Sequence, residues 1–108
     1  MATKEEINSI FPTMMDNFQA DKAQGVNTTI QFDLSGDNGG MYWLKVDDGT
    51  VSHGEGDVEA NMTVKAAADD FYAIATGETN PMQAFMMGKI KLDDMGLGMK
   101  MISWFGMG

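Results

Sequence analysis

The sequence predicts an α+β domain in which one antiparallel sheet of five strands carries its helices on one face. Three observations predict it. A stretch with apolar residues at helical spacing opens the chain behind a capping signal. Four short segments come next, alternating or strand-like and separated by turn residues. Helical signals then return on both sides of a fifth alternating segment. The 108 residues are read as one domain spanning 1–108. A chain of that size buries roughly 65% of its unfolded surface, enough for one core.

The first helix begins at Thr3, which with Glu6 has the capping-box form. Ile7, Ile10, Phe11, Met14, Met15 and Phe18 then fall within an arc of about 140°. Pro12 lies on the opposite side and is expected to bend or restart the helix. Gly25 and Asn27 punctuate the segment beyond Lys22, so the helix is expected to end near Asp21. Thr28 to Ser35 alternates Ile30, Phe32 and Leu34 against polar partners, a half-buried strand. After the turn Gly36-Asp37-Asn38-Gly39-Gly40, Met41 to Val46 sets Tyr42, Leu44 and Val46 on one face and Trp43 on the other. Asp47-Asp48-Gly49 signals a hairpin into Thr50 to Glu55. Asn61 to Lys65 is a fourth strand with Met62 and Val64 inward. Tight turns at this spacing imply an antiparallel meander.

Ala67 to Thr76 reads as a helix carrying Phe71, Ile74 and Ala75, with Gly77 at its C-terminal cap. Asn80-Pro81 is an N-cap followed by proline at the first helical position. The short helix Pro81 to Met87 carries Met82, Phe85 and Met86 and is closed by Gly88. Lys89 to Leu92 is the fifth strand. The last helix, Asp94 to Phe105, is apolar around most of its circumference, with only Lys100 and Ser103 as a polar stripe. Such a helix must be covered on most sides or must itself cover a ligand. Gly96 and Gly98 near its start mark close packing or a low-stability entrance.

The chain holds 7 Lys+Arg, all lysine, against 16 Asp+Glu, a formal net charge of −9. That balance excludes a cationic nucleic-acid face and removes the guanidinium clamp of phosphate sites. It also argues against passive docking to anionic membranes. With no Cys, disulfide scaffolds, thiol nucleophiles and thiolate metal sites are excluded. The polar start Met1-Ala2-Thr3-Lys4 leads into no apolar segment, and Phe105-Gly106-Met107-Gly108 is no targeting or prenylation signal, so a cytoplasmic location is expected.

The catalytic vocabulary is thin. His53 is the one histidine, too few for a usual zinc site and without a nucleophile elbow to serve. Gly88-Lys89 is not a phosphate-binding loop, and Gly96-Leu97-Gly98 lacks a third glycine. Asp47-Asp48, Asp69-Asp70 and Asp93-Asp94 sit at element ends, where turn and cap roles explain them. Neither a cofactor nor a metal is expected. The 12 methionines stand out. They mean either a methionine-tolerant core or an apolar pocket that adapts to ligands of different shape.

Set in order, these segments resemble the sterol carrier protein 2 family. The carriers of the resemblance are Phe11-Pro12, Asp21-Lys22-Ala23, and Ile30-Gln31-Phe32-Asp33-Leu34-Ser35-Gly36 with Gly39-Gly40 and Trp43. Asp69-Asp70-Phe71, Asn80-Pro81 with Ala84-Phe85, and Gly88-Lys89-Ile90-Lys91 leading to Met95-Gly96-Leu97 and Met99-Lys100 complete the set. The resemblance implies a five-stranded, mostly antiparallel sheet with helices on one face, enclosing an apolar tunnel. It implies non-enzymatic binding, and transfer, of fatty acids, fatty acyl-CoA, phospholipids or sterols by a stand-alone domain. Leu92-Asp93-Asp94 is one residue shorter than the family's usual segment, and Gly98 stands where alanine is common.

The expected tunnel lies between the sheet and the last helix, lined by Phe11, Met15, Phe18, Phe32, Trp43, Phe85, Met86, Met95, Met99, Ile102 and Phe105. Ordinary core packing explains each equally well, because burying one such side chain stabilises a fold by roughly 1.5–3 kcal/mol. The expected partner is a lipid or other long apolar ligand, with transient membrane contact and no nucleic acid. The rival reading is an interaction module with a filled or vestigial tunnel, whose last helix binds a partner or a second copy as a homodimer.

Overall fold

The computed structural model describes residues 2–106. Met1 lies outside them, as do Met107 and Gly108 of the C-terminal tetrapeptide. The elements are α1 (Lys4–Asp16), a 3-10 turn (Ala20–Ala23), β1 (Asn27–Ser35), β2 (Gly40–Asp47), β3 (Thr50–Glu55), β4 (Met62–Ala67), α2 (Ala68–Ala75), α3 (Pro81–Met86), β5 (Ile90–Leu92) and α4 (Met95–Phe105).

The capping box at Thr3 forms in both directions. Glu6 N–H donates to Thr3 Oγ1 at 3.1 Å, and Thr3 N–H donates to the Glu6 carboxylate at 3.0 Å. That backbone donor, then the Tyr72 hydroxyl, holds the Glu6 carboxyl below its ordinary range, and the same bond pushes Tyr72 up. Pro12 sits inside α1 on its exposed side and does not end it. The helix stops at Asp16, five residues short of the expected end at Asp21. Tertiary contacts override the periodicity. Gln19 N–H donates to the Trp104 carbonyl at 2.8 Å, and Phe18 turns onto Phe105 with ring centroids 5.3 Å apart.

The sheet order is β3-β2-β1-β4-β5. The three pairs β1–β2, β2–β3 and β4–β5 are antiparallel, and β1–β4 is parallel with Ile30 opposite Met62 and Phe32 opposite Val64. The sheet is therefore mostly antiparallel but not the expected meander. Instead of returning beside β3, the chain crosses to the far side of β1. Gln31, only 2% exposed, fastens this crossing. Its amide donates to the Tyr42 and Gly56 carbonyls at 2.6 and 3.0 Å and accepts from Val58 N–H at 2.7 Å. Asn61 completes it, its Oδ1 accepting from Thr29 N–H at 2.9 Å. The β2–β3 hairpin forms as signalled. Asp48 and Gly49 have φ of 45° and 86°, the two positive values of a tight hairpin turn.

The predicted inner positions are the buried ones: Ile30, Phe32, Leu34, Tyr42, Leu44, Val46, Met62 and Val64. Phe11 of α1 lands at the centre. It meets Phe32 edge-on at 5.3 Å and stacks on Tyr42 at 4.8 Å, while Phe71 of α2 closes on Phe32 at 5.2 Å. Each such aromatic pair adds about 0.5–1.5 kcal/mol beyond area burial. The aspartate pairs divide between roles: Asp94 caps its own helix, as its place suggested, whereas Asp48, Asp69 and Asp93 tie in distant segments, and α2 has no side-chain cap. Asp48 accepts from Gly25 N–H, Asp69 from Ala2 N–H and Asp93 from Thr63 N–H, while Asp94 caps α4 through Leu97 N–H.

Candidate functional site

The far half of the inner face, over β4 and β5, is covered by α2, α3 and α4. Asn80 caps α3, its Oδ1 accepting from Met82 and Gln83 N–H at 2.9 and 3.3 Å, with Pro81 in the first turn. The chain leaves α3 through Gly88 and enters β5. The short turn Asp93-Asp94 then redirects it into α4. Asp94 Oδ1 accepts from Leu97 N–H at 3.0 Å, and Gly106, at φ 62°, ends the helix.

Gly98 is what seats α4. It is buried, and a Cβ placed there would stand 2.5 Å from Leu92 Cδ1 and 3.8 Å from the Met62 sulfur. Its role is therefore close packing. At Gly96 a Cβ would meet only the Asp94 carboxylate, at 3.5 Å.

Beneath α4 lies an apolar cleft. Its walls are Phe71 and Ile74 of α2, Pro81, Met82 and Phe85 of α3, Ile90 and Leu92 of β5, and Met95, Gly98, Met99, Met101 and Ile102 of α4. No wall residue is charged. The free space is about 20 Å³, room for one water-sized sphere. Pockets that hold drug-sized ligands span roughly 300–1,000 Å³, so the cleft is closed by its own side chains. Pro81, Met82, Met99 and Ile102 also form one wall of an open groove of about 580 Å³, whose polar wall is Gln19, Lys22, Asn80 and Ser103.

Of the eleven residues expected to line a tunnel, Phe85, Met95, Met99 and Ile102 meet in this cleft. Phe11 and Phe32 lie in the core between sheet and α1, fully packed. Phe18, beyond the end of α1, packs on the buried Phe105 of α4, and Met15 is half-buried against the core. Met86 points outward at 82% exposure, because α3 turns its Pro81, Ala84 and Phe85 side inward. Trp43 is not near the cleft. It lies on the opposite sheet face, against the backbone of its register partner Gly54, where a Cβ would meet the indole at 2.5 Å. Strand alternation had already put Trp43 opposite Tyr42 and Leu44, so the period-2 pattern was the sounder signal. Phe71, Ile74, Pro81, Met82, Ile90, Leu92, Gly98 and Met101 were missed as cleft residues. The i, i+3 spacing of Phe71 and Ile74, and of Met95, Gly98 and Met101, marks the inward faces.

His53 sits on edge strand β3, with its ring 6.2 Å from Phe11, and is exposed. The hydroxyl of Tyr42 accepts from Lys4 Nζ at 3.0 Å and donates to Asn8 Oδ1 at 3.1 Å. These contacts tie α1 to β2, away from the cleft.

The family model described as the SCP-2 sterol transfer family matches residues 7–106. Hydroxysteroid dehydrogenase-like protein 2 of Mus musculus is 33% identical over 88 residues, covering 80% of this chain and 18% of that protein. The chain thus spans about a fifth of the length of the curated relatives it matches. Among solved structures, the sec-alkylsulfatase Pisa1 from Pseudomonas sp. is similar at TM-score 0.70 and 26% identity, over 87% of this chain and 15% of that one. Palmitated SCP2L2 from Aedes aegypti shares the fold at TM-score 0.73 and 19% identity, over 94% and 93% of the two chains.

Proposed function

The chain belongs to the SCP-2 sterol transfer family, and on that premise we propose that it binds the apolar chain of a lipid beneath α4 without covalent chemistry. The observation that carries the reading is the cleft wall, twelve residues from four elements with no charge among them. Fatty acids, fatty acyl-CoA, phospholipids and sterols are the ligand classes. A solved relative of the same fold, palmitated SCP2L2, supports the first. Because about 20 Å³ is free, loading must displace wall residues. Met82, Met95 and Met99 are suited to it, since unbranched thioethers change rotamer at little cost. Transfer would follow from transient contact with a membrane. No helix among the described residues is long and apolar enough to cross one, and a carrier working in the cytoplasm fits the reading.

The closed cleft favours a second reading. Here the domain is an interaction or dimerisation module whose tunnel is filled by its own side chains. The large relatives in which the matching segment is a minor share support it. A solvatochromic fatty acid separates the two. The carrier binds it saturably, with a Kd of about 1 μM or tighter, releases it to long-chain lipids, and yields lipid on solvent extraction. Absence of saturable binding by any acyl, sterol or phospholipid probe, with a clean extract, defeats the carrier reading and leaves the module.

A further inference from the structure

The exposed large hydrophobic side chains among the described residues are all methionines: Met82, Met86, Met87, Met95 and Met99. Met82 and Met99 have a further property. They belong both to the apolar wall of the cleft and to the open groove beside it, whose polar wall presents Gln19, Lys22, Asn80 and Ser103. Met82 is 39% exposed and Met99 45%, so solvent reaches the same side chains that line the cleft. Met101 lines that cleft too but is 3% exposed, and Met14 and Met62 are sealed in the core. The chain has no Cys, so no thiol competes for an oxidant, and the polarisable thioether is the group that reacts. The net charge of −9 does not turn away a neutral hydroperoxide.

We infer that Met82 and Met99 are an oxidative modification site that gates the cleft, with a hydroperoxide as the oxidant. The inference rests on the lipid-binding reading for one of its readouts. The thioether sulfur attacks the terminal oxygen of the hydroperoxide. The S–O bond forms as the O–O bond breaks, sulfur gives up two electrons, and the other oxygen leaves and takes the proton, as water or an alcohol. The product is a polar sulfoxide where the wall was apolar. The cleft offers it no partner, because no wall side chain is polar and about 20 Å³ is free. The groove does. Gln19, Lys22 and Ser103 bring amide, ammonium and hydroxyl donors to its polar wall. Oxidation therefore draws both side chains from the cleft to the groove and loosens the seat of α4. An acyl chain seated in the cleft would strip the sulfoxides of those partners, and each unpartnered polar group weakens binding by about tenfold or more. Sulfoxide reductases return the thioether at the expense of two thiols, which become a disulfide as water is released. This chain holds no thiol, so that reductant is a separate protein.

Treating the full chain with hydrogen peroxide and mapping sulfoxides by peptide mass spectrometry tests this. Met82 and Met99 should oxidise at least about tenfold faster than Met14, Met62 and Met101, whose sulfurs wait for the core to open. Binding of a fluorescent fatty acid should weaken by about tenfold or more and return with methionine sulfoxide reductase and a dithiol. Met82→Leu with Met99→Leu keeps volume; it should bind as the parent does and go on binding after the same exposure. Met86→Leu with Met87→Leu, at exposed positions outside the cleft, should stay as peroxide-sensitive as the parent. Met82→Gln with Met99→Gln, a lasting polar substitute, should bind weakly without peroxide, and it decides the matter should the leucine pair not fold. Parent affinity with both sulfurs oxidised, or in the glutamine pair, overturns the inference. So does undiminished peroxide sensitivity in the Met82→Leu, Met99→Leu pair, protection by the Met86→Leu, Met87→Leu pair, or oxidation of Met14, Met62 and Met101 at the same rate. If the untreated parent binds no fatty acid, the carrier reading falls and hydrogen exchange decides for the site. Sulfoxides at Met82 and Met99 should quicken exchange of α4 amides, an effect absent when both are leucine, and unchanged exchange overturns the inference.

Discussion

Gly98→Ala probes how α4 is seated on the sheet, and the structure sets both opposing effects. In an unencumbered helix the change stabilises by about 1 kcal/mol. At Gly98 the new Cβ would stand 2.5 Å from Leu92 Cδ1, where carbon atoms are comfortable at about 3.5–4.0 Å. The Leu92 methyl must retreat by about 1 Å, and the cleft beside it offers only about 20 Å³. Forcing an extra methyl into a packed site costs about 1–3 kcal/mol. The sum places Gly98→Ala between neutral and about 2 kcal/mol less stable than the parent. Removing the obstacle reverses the sign. In a Leu92→Ala background, Gly98→Ala should gain about 1 kcal/mol, a coupling well above the error of a double-mutant cycle. Gly96→Ala is the internal control. With nothing but the Asp94 carboxylate near, it should gain about 1 kcal/mol in either background. Urea titrations with matched slopes measure all of these. Equal stabilisation by Gly98→Ala with and without Leu92 would refute the close seat and return Gly98 to the role of a loosening residue.

The same geometry yields three further outcomes. Asp94→Ala removes the cap of α4 and should cost about 1 kcal/mol in urea titration. It should also quicken release of a bound fatty acid in stopped-flow exchange, because α4 covers the cleft. Glu6 has its carboxyl pKa lowered on folding, so its contribution is present above the unfolded value near 4.5 and is lost as pH falls through the folded one. Glu6→Gln, which keeps a neutral capping-box side chain, should lower stability above that window, where the ionised carboxylate contributes, and converge on the parent below it, so that stability depends less on pH. With lysine as its only cation type, the chain should bind a fatty acyl-CoA no tighter than the matching neutral ester. Competition titration showing a preference of more than about tenfold would reveal a headgroup site outside the cleft.

Much of this fold was legible because its local signals are strong and agree. Thr3, Asn80 and Asp94 each announce a helix start. Asp48-Gly49 announces a turn, and the alternation from Ile30 to Leu34 fixes which face of β1 is buried. The end of α1 was misplaced because Phe18 continues the apolar arc, yet its burial comes from Phe105, which no local pattern encodes. The parallel β1–β4 pair was misread as part of a meander because tight turns report only neighbouring strands. One compositional cue pointed the right way. Thr50-Val51-Ser52-His53-Gly54-Glu55 carries a single aliphatic residue and suits an edge, whereas a meander would place it between β2 and β4. For the cleft, periodicity identified apolar faces but not which faces meet. That is why Phe11 and Phe32, at the core centre, stood beside Met95 and Met99 in the expected lining, and why Leu92 was absent from it.

The crossing that separates β3 from β4 has a consequence during synthesis. β1 lies at the middle of the finished sheet, yet one of its edges stays open until β4 has been made. The hairpin partner β2 is complete at Asp47 and the parallel partner at Ala67. At roughly 5–20 residues per second, the nascent chain spends about 1–4 s with Ile30, Phe32 and Leu34 on a strand whose second hydrogen-bonding edge is unclaimed. An unpaired edge is a template for strands of other chains. The ribosome-bound intermediate ending before Met62, rather than the finished protein, is where this sequence is most exposed to aggregation.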